Sequence, residues 1–290
     1  MKKTLTHSVI AIASLFLAAC TEEIEIELDA TYDRIVIDGA ISNELKRHTV
    51  SVKKSANYFS NAPAEPIVDA LVLIEDGEKS FLLTEEEPGI YKTDSIAGEV
   101  GKTYTLSVEV EGTYYMASSK LNTAPPVDSI RFKESGWEPD YIDIKIYTLE
   151  PETPNNFYLW LVYKNGVLET DTLDEYMFYD DSFVNGNYIQ GMEVQSVKAE
   201  IGDTITLETR SINEGYYTYI INILGETTWN GGPFDAPPAN VEGNFSNGAL
   251  GYFRAYSSVK TTNVIKELDK KNEAVQKGRS FSCSHFSQFL

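Results

Sequence analysis

Short alternations of apolar and polar residues, separated by turn residues, fill most of this sequence. In the stretch GKTYTLSVEVEG, every second residue is apolar, which is the period of a strand with one buried face. Glu111-Gly112 follows, and glycine tolerates the positive φ of a tight turn. Six or more such strands with turns roughly every 8–12 residues are typical of antiparallel sandwiches. The chain is therefore predicted to be mainly β.

The strands divide into two predicted regions. Residues 31–124 are predicted to form an antiparallel β-sandwich, and the linker TAPPVDS follows it. Within these residues, GIYKTD and GEVGKTYTLSVEV resemble small immunoglobulin-like or transthyretin-like modules. Residues 125–260 are predicted to form a second β-rich domain, which includes a hairpin turned at Asn165-Gly166. The remaining residues, 261–290, are polar, and we predict a fraying helix or a disordered tail there.

One segment of the second region has a helical period. In SINEGYYTYIINILGE, large apolar residues recur at i, i+3, i+4, i+7 and i+8 from Tyr216, which predicts an amphipathic helix over about 212–224. Ser211 and Glu214 form a capping-box pattern, and Gly225 is a candidate C-terminal stop. The aromatic stripe of this helix is predicted to face the core rather than a ligand groove.

The first thirty residues follow a different plan. Two lysines precede a largely apolar run over residues 5–19, which is shorter than the about 20 residues that span a bilayer. A basic start, an apolar stretch and small residues before a cleavage point are typical of an export signal. The motif LAAC at 17–20 is similar to the lipobox of bacterial lipoproteins. That resemblance implies cleavage after residue 19 and acylation of Cys20; the alternative is an ordinary signal peptide with a coincidental cysteine.

An acidic segment follows Cys20. Residues 20–30 read CTEEIEIELDA, and a charged segment stays extended through self-repulsion. Acidic residues just behind a lipidated cysteine resemble the surface-export signal of Bacteroidota lipoproteins. This resemblance implies a lipid-anchored protein of the outer membrane that faces the cell exterior, and the alternative location is an anchor that faces the periplasm. The acidic segment itself has a second interpretation, a simple solvated tether, which is compatible with surface export.

The charge and the cysteine content exclude several classes of function. Removing Lys2 and Lys3 with the signal peptide leaves 22 basic and 44 acidic residues, so the mature chain has a net charge of −22. Such a charge repels nucleic acid. Cys20 and Cys283 are the two cysteines, which provides no disulfide framework. His48 is predicted to be a surface residue of a strand, and three histidines in all do not form a His-rich metal site.

Catalytic and binding residues are harder to identify. A Ser-His-Asp triad is not expected, because the sequence has no G-x-S-x-G elbow and His48 is the one histidine of the predicted folded region. Asp180 and Asp181 are weak candidates for calcium ligands, and Tyr179 and Tyr188 for ligand-binding aromatics. The alternative for these four residues is a solvated loop between strands. No cofactor is predicted.

Several motifs together resemble a known family. They are the lipobox, RIVIDGAIS, VDALVLIEDG, GIYKTD, GKTYTLSVEVEGTYYMAS, PVDSIRF and PPANVEGNFSNGALGYFRAYS, and they resemble the Bacteroidota lipoprotein family labelled domain of unknown function 4249 over residues 20–258. Members are typically encoded beside TonB-dependent outer-membrane transporters. The resemblance therefore implies a partner of this β-barrel class. It carries over one site residue, the lipidation site Cys20, and it does not extend to the tail 261–290.

Three functions follow from these features. The favoured hypothesis is a non-catalytic surface lipoprotein that assists a TonB-dependent transporter in nutrient capture, with a small-molecule ligand of unknown identity. The second is a structural or adhesive surface lipoprotein. The third is a hydrolase with paired carboxylates, which needs only two well-placed acids among the 44.

Overall fold

The computed structural model describes residues 34–55, 63–170, 172–227 and 241–268. Its strands are β1 Ile35–Ser42, β2 Lys46–Lys54, β3 Leu71–Glu75, β4 Ser80–Leu82, β5 Thr84–Glu87, β6 Ile90–Ile96, β7 Thr103–Val110, β8 Thr113–Lys120, β9 Ser129–Glu134, β10 Tyr141–Leu149, β11 Phe157–Lys164, β12 Val167–Leu168, β13 Met177–Asp180, β14 Tyr188–Lys198, β15 Thr204–Ile212 and β16 Phe253–Val264. Helix α1 spans Glu214–Thr227, and short 3-10 turns span Leu173–Glu175 and Ser246–Gly248. The prediction of a mainly β chain with one helix is confirmed.

One large sheet organises the body. Its strand order is β12-β11-β15-β16-β1-β2-β6-β5, and β13 also pairs with β11. Strand β16 pairs in parallel with β1 and antiparallel with β15. Because β1 belongs to the first predicted region and β15 to the second, the sheet crosses the boundary predicted at residue 124. The compact unit begins at Arg34.

Two smaller sheets pack against the large one. The sheet β4-β3-β7-β8 contributes Val72, Ile74, Leu106 and Val108 to a core shared with β1, β2 and β6. The sheet β14-β10-β9 contributes Ile130, Ile142 and Ile144 to a second core, shared with β11 and β15. Each core joins the inward residues of two sheets, as the period-two pattern requires.

Helix α1 packs on the opposite face of β11, where it forms a third core. Tyr216 and Ile220 of the helix lie there with Leu159, Leu161, Tyr252 and Tyr256, so the prediction of a core-facing aromatic stripe is confirmed. The predicted capping box is wrong. Ser211 belongs to strand β15, and Asn213 caps the helix instead, because its Oδ1 accepts a hydrogen bond of 2.8 Å from the Tyr216 amide. Gly225 does not end the helix, which continues to Thr227.

Two hairpin turns that the sequence predicts are present in the structure. Asn165 and Gly166 have φ of 52° and 83° between β11 and β12, the pair of positive values that a type I′ hairpin needs. Glu111 and Gly112 behave in the same way between β7 and β8, with φ of 49° and 79°. These turns set the register of the antiparallel pairs. No described helix is both long and apolar enough to cross a bilayer.

The prediction for His48 is wrong. His48 is 2% exposed, because it shares the inward face of β2 with Val50 and Val52. Its Nε2 donates to the carbonyl oxygen of Ile96 at 3.0 Å. Burial lowers the pKa of His48. The imidazole is therefore a satisfied neutral group of the core.

Candidate functional site

A recess of about 270 Å³ opens on the outer face of the large sheet, where β16, β1 and β2 run side by side. Ala40 of β1 lies opposite Arg254 of β16, and the short alanine side chain leaves space between longer neighbours. The other residues that line the recess are polar or charged: Asp38, Lys46, Arg47, Thr49, Ser51, Tyr256 and the buried His48.

Arg254 forms one wall of the recess and is held from two sides. Its Nη1 lies 2.8 Å from the Asp38 carboxylate, and its guanidinium carbon lies 5.1 Å from the centre of the Tyr216 ring of α1. Cation–π contacts of this geometry favour arginine, because the planar group stacks on the ring. The helix therefore fixes a cation at the edge of the recess.

Lys46 forms a second wall. Its Nζ lies 2.6 Å from Glu44 and 3.4 Å from the Tyr256 hydroxyl, while Lys260 contacts the other oxygen of Glu44 at 2.8 Å. Burial raises the pKa of Glu44, but the hydrogen bonds from Lys260 and Lys46 outweigh it and lower the pKa to about 2. Glu44 is therefore ionised at neutral pH and holds both lysines.

A buried carboxylate, that of Glu208, holds the arginine that stacks on Tyr256 of the recess. Glu208 of β15 is 1% exposed and accepts hydrogen bonds from Arg210 at 2.5 Å, from Tyr163 at 2.9 Å and from Ser258 at 2.9 Å. Burial raises the pKa of Glu208, but Arg210 and the other donors outweigh it, and the net pKa is lowered. Arg210 in turn stacks on the ring of Tyr256 at 4.8 Å.

This arrangement is suited to binding a small polar ligand. The acids near the recess each pair with lysine or arginine, and the Nε2 of His48 is already bonded to a carbonyl oxygen. Fixed charges and hydroxyls around a concave surface can orient a ligand with little reorganisation. Sequence reasoning missed this recess, although Asp38 and Arg254 both lie within the family-like motifs and at outward positions of their strands.

The structure uses Asp180 and Asp181 to shape a loop. Asp181 is buried, and its carboxylate accepts from the Asn155 amide at 3.1 Å and from Asn156 Nδ2 at 3.0 Å. Asp180 accepts from the Ser182 amide at 3.0 Å. Within the described ranges, no group of three or more His, Cys, Asp or Glu side chains has a metal-binding arrangement.

Tyr179 and Tyr188 lie in different sheets. Tyr179 of β13 stacks on Trp160, with ring centres 5.4 Å apart. Tyr188 begins β14, where it pairs with Leu149 of β10 and is exposed. Tyr179 thus contributes to the second core, whereas Tyr188 presents its ring to solvent.

A second buried acid lies close to Asp181. Glu150 is buried beside Tyr158, whose hydroxyl donates a hydrogen bond of 2.6 Å to its Oε1. Burial raises the pKa of Glu150, and the charge of Asp181 raises it further, against the hydrogen bond from Tyr158. The folded state therefore holds a proton that the unfolded chain releases at lower pH.

We expect the substitution Glu150→Gln to increase stability at neutral pH. A carboxyl group whose pKa is raised by folding makes its full contribution to stability below its unfolded pKa, 4.5. The protein loses that contribution as the pH rises through the folded pKa. Glutamine keeps an oxygen for Tyr158 without the charge, so the gain should grow over that window and then level off. Urea denaturation at several pH values measures it. The exposed Glu152→Gln is the control, and an equal effect of both variants would contradict this account.

Comparison with known proteins places this body in a family. The family model described as a domain of unknown function, DUF4249, matches residues 21–262, which covers all three sheets and the recess. The chain belongs to this family. The resemblance inferred from the motifs is thus confirmed. No curated protein shows a significant sequence match to this DUF4249 chain.

One solved structure shows a partial likeness to this DUF4249 protein. It is a pullulanase from Anoxybacillus sp. LM18-11, complexed with maltotriose, at 14% sequence identity and a TM-score of 0.19. The match covers 60% of this chain and 24% of the pullulanase chain. A TM-score this low is no basis for comparing the two folds or their functions.

Proposed function

We propose that this protein is a lipid-anchored, surface-exposed outer-membrane protein that assists a TonB-dependent transporter without catalysing a reaction. The observation that best supports this proposal is the order of segments along the chain. An export-type apolar run ends at Cys20, an acidic segment follows, and the folded body begins at Arg34. Several acyl chains on one cysteine hold a protein durably on a bilayer, because one chain alone binds only marginally.

The recess supports a binding role for the body. Its charged side chains are already paired, as Arg254 with Asp38 and Lys46 with Glu44. A nutrient with several hydroxyl or charged groups could exchange hydrogen bonds with them while the sheet stays rigid. The proposed role is to hold such a ligand at the cell surface next to the transporter.

The substitution Cys20→Ser tests the anchor. We expect the wild-type protein in the membrane fraction of the source bacterium and the variant in the soluble fraction, because serine has no thiol to acylate. The matched variant replaces the five acids that follow Cys20 with glutamine or asparagine: Glu22, Glu23, Glu25, Glu27 and Asp29. It should keep the protein on the membrane but protect it from protease added to intact cells.

Gentle detergent extraction of the wild-type protein tests the partner. Affinity purification through a C-terminal tag should recover a large β-barrel transporter, and the Cys20→Ser protein should recover much less of it. Membrane-bound protein that purifies without any barrel would refute the transporter role and leave the structural or adhesive function.

A further inference from the structure

The recess on the outer face of the large sheet has a charge opposite to that of the whole chain. Its charged lining consists of three basic residues and one acid: Lys46, Arg47, Arg254 and Asp38. In the complete sequence the balance is reversed, because 44 acidic residues outnumber 24 basic ones. A concave surface with one sign of charge concentrates ligands of the opposite sign. The recess is therefore a cationic site on an acidic protein.

The acids next to the lining do not cancel this charge. Two carboxylates are each shared by two cations: Glu44 by Lys46 and Lys260, and Glu86 by Arg47 and Lys92. A carboxylate neutralises one of its two partners, so each group of three keeps a charge of +1, whereas the pair of Arg254 with Asp38 is neutral. The surroundings of the recess therefore keep a net charge of +2.

The recess also offers hydrogen-bond donors that the body does not use. A guanidinium has five N–H groups, and among the described residues Arg254 uses one, from Nη1 to Asp38 at 2.8 Å. Its side chain is 23% exposed, so a ligand can reach the others. The hydroxyls of Thr49 and Ser51 line the same recess and have no hydrogen-bond partner within the described ranges. These donors are in place before a ligand arrives, because Tyr216 stacks on Arg254.

We propose that the recess binds a small organic anion through a carboxylate or phosphate group. This proposal rests on the binding role proposed above for the body and specifies the class of ligand. The planar fork of Arg254 matches two oxygens of either group, and Lys46 and Arg47 neutralise the remaining negative charge. Ala40, opposite Arg254, leaves the space over the sheet that the ligand fills.

The size and charge of the recess disfavour other classes of ligand. Its volume of about 270 Å³ is at the small end of ligand pockets, which suits a single metabolite better than a polymer. A cation is repelled by the net charge. A neutral polyol can accept from the same hydroxyls, but it leaves the excess positive charge without a partner.

Isothermal titration calorimetry at low ionic strength tests the class of ligand. The protein is the full mature chain with Cys20→Ser, and the probes are succinate and glycerol 3-phosphate. Their neutral counterparts, succinamide and glycerol, have the same carbon skeletons. At least one anion should bind saturably, and its counterpart should bind at least about tenfold more weakly, because hydrogen bonds to charged groups are the stronger ones. Binding of succinate alone assigns the carboxylate, and binding of glycerol 3-phosphate alone assigns the phosphate.

Two substitutions with opposite effects place the anion in the recess. Arg254→Gln should weaken binding about tenfold or more, because it removes the bidentate cation. Asp38→Asn should strengthen binding several-fold, because it removes a negative charge and frees the guanidinium. A variant that is only less stable does not gain affinity, so Asp38→Asn decides the result if Arg254→Gln does not fold. Arg131→Gln is the matched control, because Arg131 also stacks on a tyrosine, Tyr147, but belongs to another sheet. It should leave the affinity unchanged.

Several results would overturn this proposal. Equal binding of an anion and its neutral counterpart would do so, and so would no binding of either anion or an affinity that neither Arg254→Gln nor Asp38→Asn changes. Each would leave the transporter role intact, since that role depends on recovery of a β-barrel with the acylated protein. Conversely, anion binding by a protein that recovers no barrel would refute the transporter role and keep the anion site.

Discussion

Replacing Gly251 with alanine is expected to destabilise the fold by at least about 3 kcal/mol. Gly251 has φ of 91°, a backbone conformation that alanine adopts only with strain. An added Cβ would also overlap the carbonyl oxygen of Ile37. Since Leu250 and Tyr252 make the hydrogen bonds that align this segment with β1, the overlap falls on the junction that joins the two halves of the large sheet.

Urea denaturation of the purified soluble body, together with its yield, measures the effect of Gly251→Ala. Gly225→Ala is the control with the opposite sign. Gly225 lies inside α1, and an added Cβ would meet nothing within 4 Å, so alanine should stabilise the helix by about 0.5–1 kcal/mol. If Gly251→Ala and the wild-type protein unfolded at the same urea concentration, this would contradict the close approach of β1 to residue 251.

Replacing Glu208 with alanine is expected to cost about 3–5 kcal/mol of unfolding free energy, the usual cost of breaking a buried ion pair. The substitution leaves Arg210 without its carboxylate and the hydroxyls of Tyr163 and Ser258 without an acceptor. Arg210 has a side chain only 20% exposed, so water cannot fully replace the lost partner. Tyr256, which Arg210 stacks on, should become mobile at the recess.

The control for Glu208→Ala is Glu65→Ala. Glu65 pairs with Lys54 at 3.0 Å but has a side chain 68% exposed, and exposed pairs contribute roughly 0–1 kcal/mol. The pH dependence gives a second readout. The pKa of Glu208 is lowered from 4.5, so its contribution is present above pH 4.5 and is lost as the pH falls through the folded value. Glu208→Gln should therefore make the unfolding free energy depend less steeply on pH below pH 4.5. Equal losses from both alanine variants would contradict the buried network.

The strands and turns could be predicted from the sequence because their causes are local. Alternating side chains mark a half-buried strand, and the pairs at 111–112 and 165–166 supply the positive φ of hairpins. The same alternation could have identified His48 as buried, since it lies two residues before Val50. Histidine is polar, however, and its partner, the Ile96 carbonyl, lies 48 residues away, so the local sequence does not show that a buried imidazole would be satisfied.

Long-range pairing could not be predicted in the same way. The parallel pairing of β1 with β16 joins residues more than 200 positions apart, and no local pattern encodes it. The recess depends on that pairing, because Asp38 and Arg254 meet only across it. The helix start was misplaced for a related reason: pairing with β11 and β16 extends β15 through Ser211, and this tertiary context overrides a capping-box pattern.

The proposed placement of this body on a cell envelope depends on acylation of the Cys20 thiol. Intact-mass spectrometry of the protein purified from membranes of its source organism tests this directly. We expect a mature chain whose first residue is Cys20, with a mass increased by a thioether-linked diacylglycerol and an amide-linked acyl chain. A mature chain that begins at any other residue, or one with an unmodified Cys20, would contradict it.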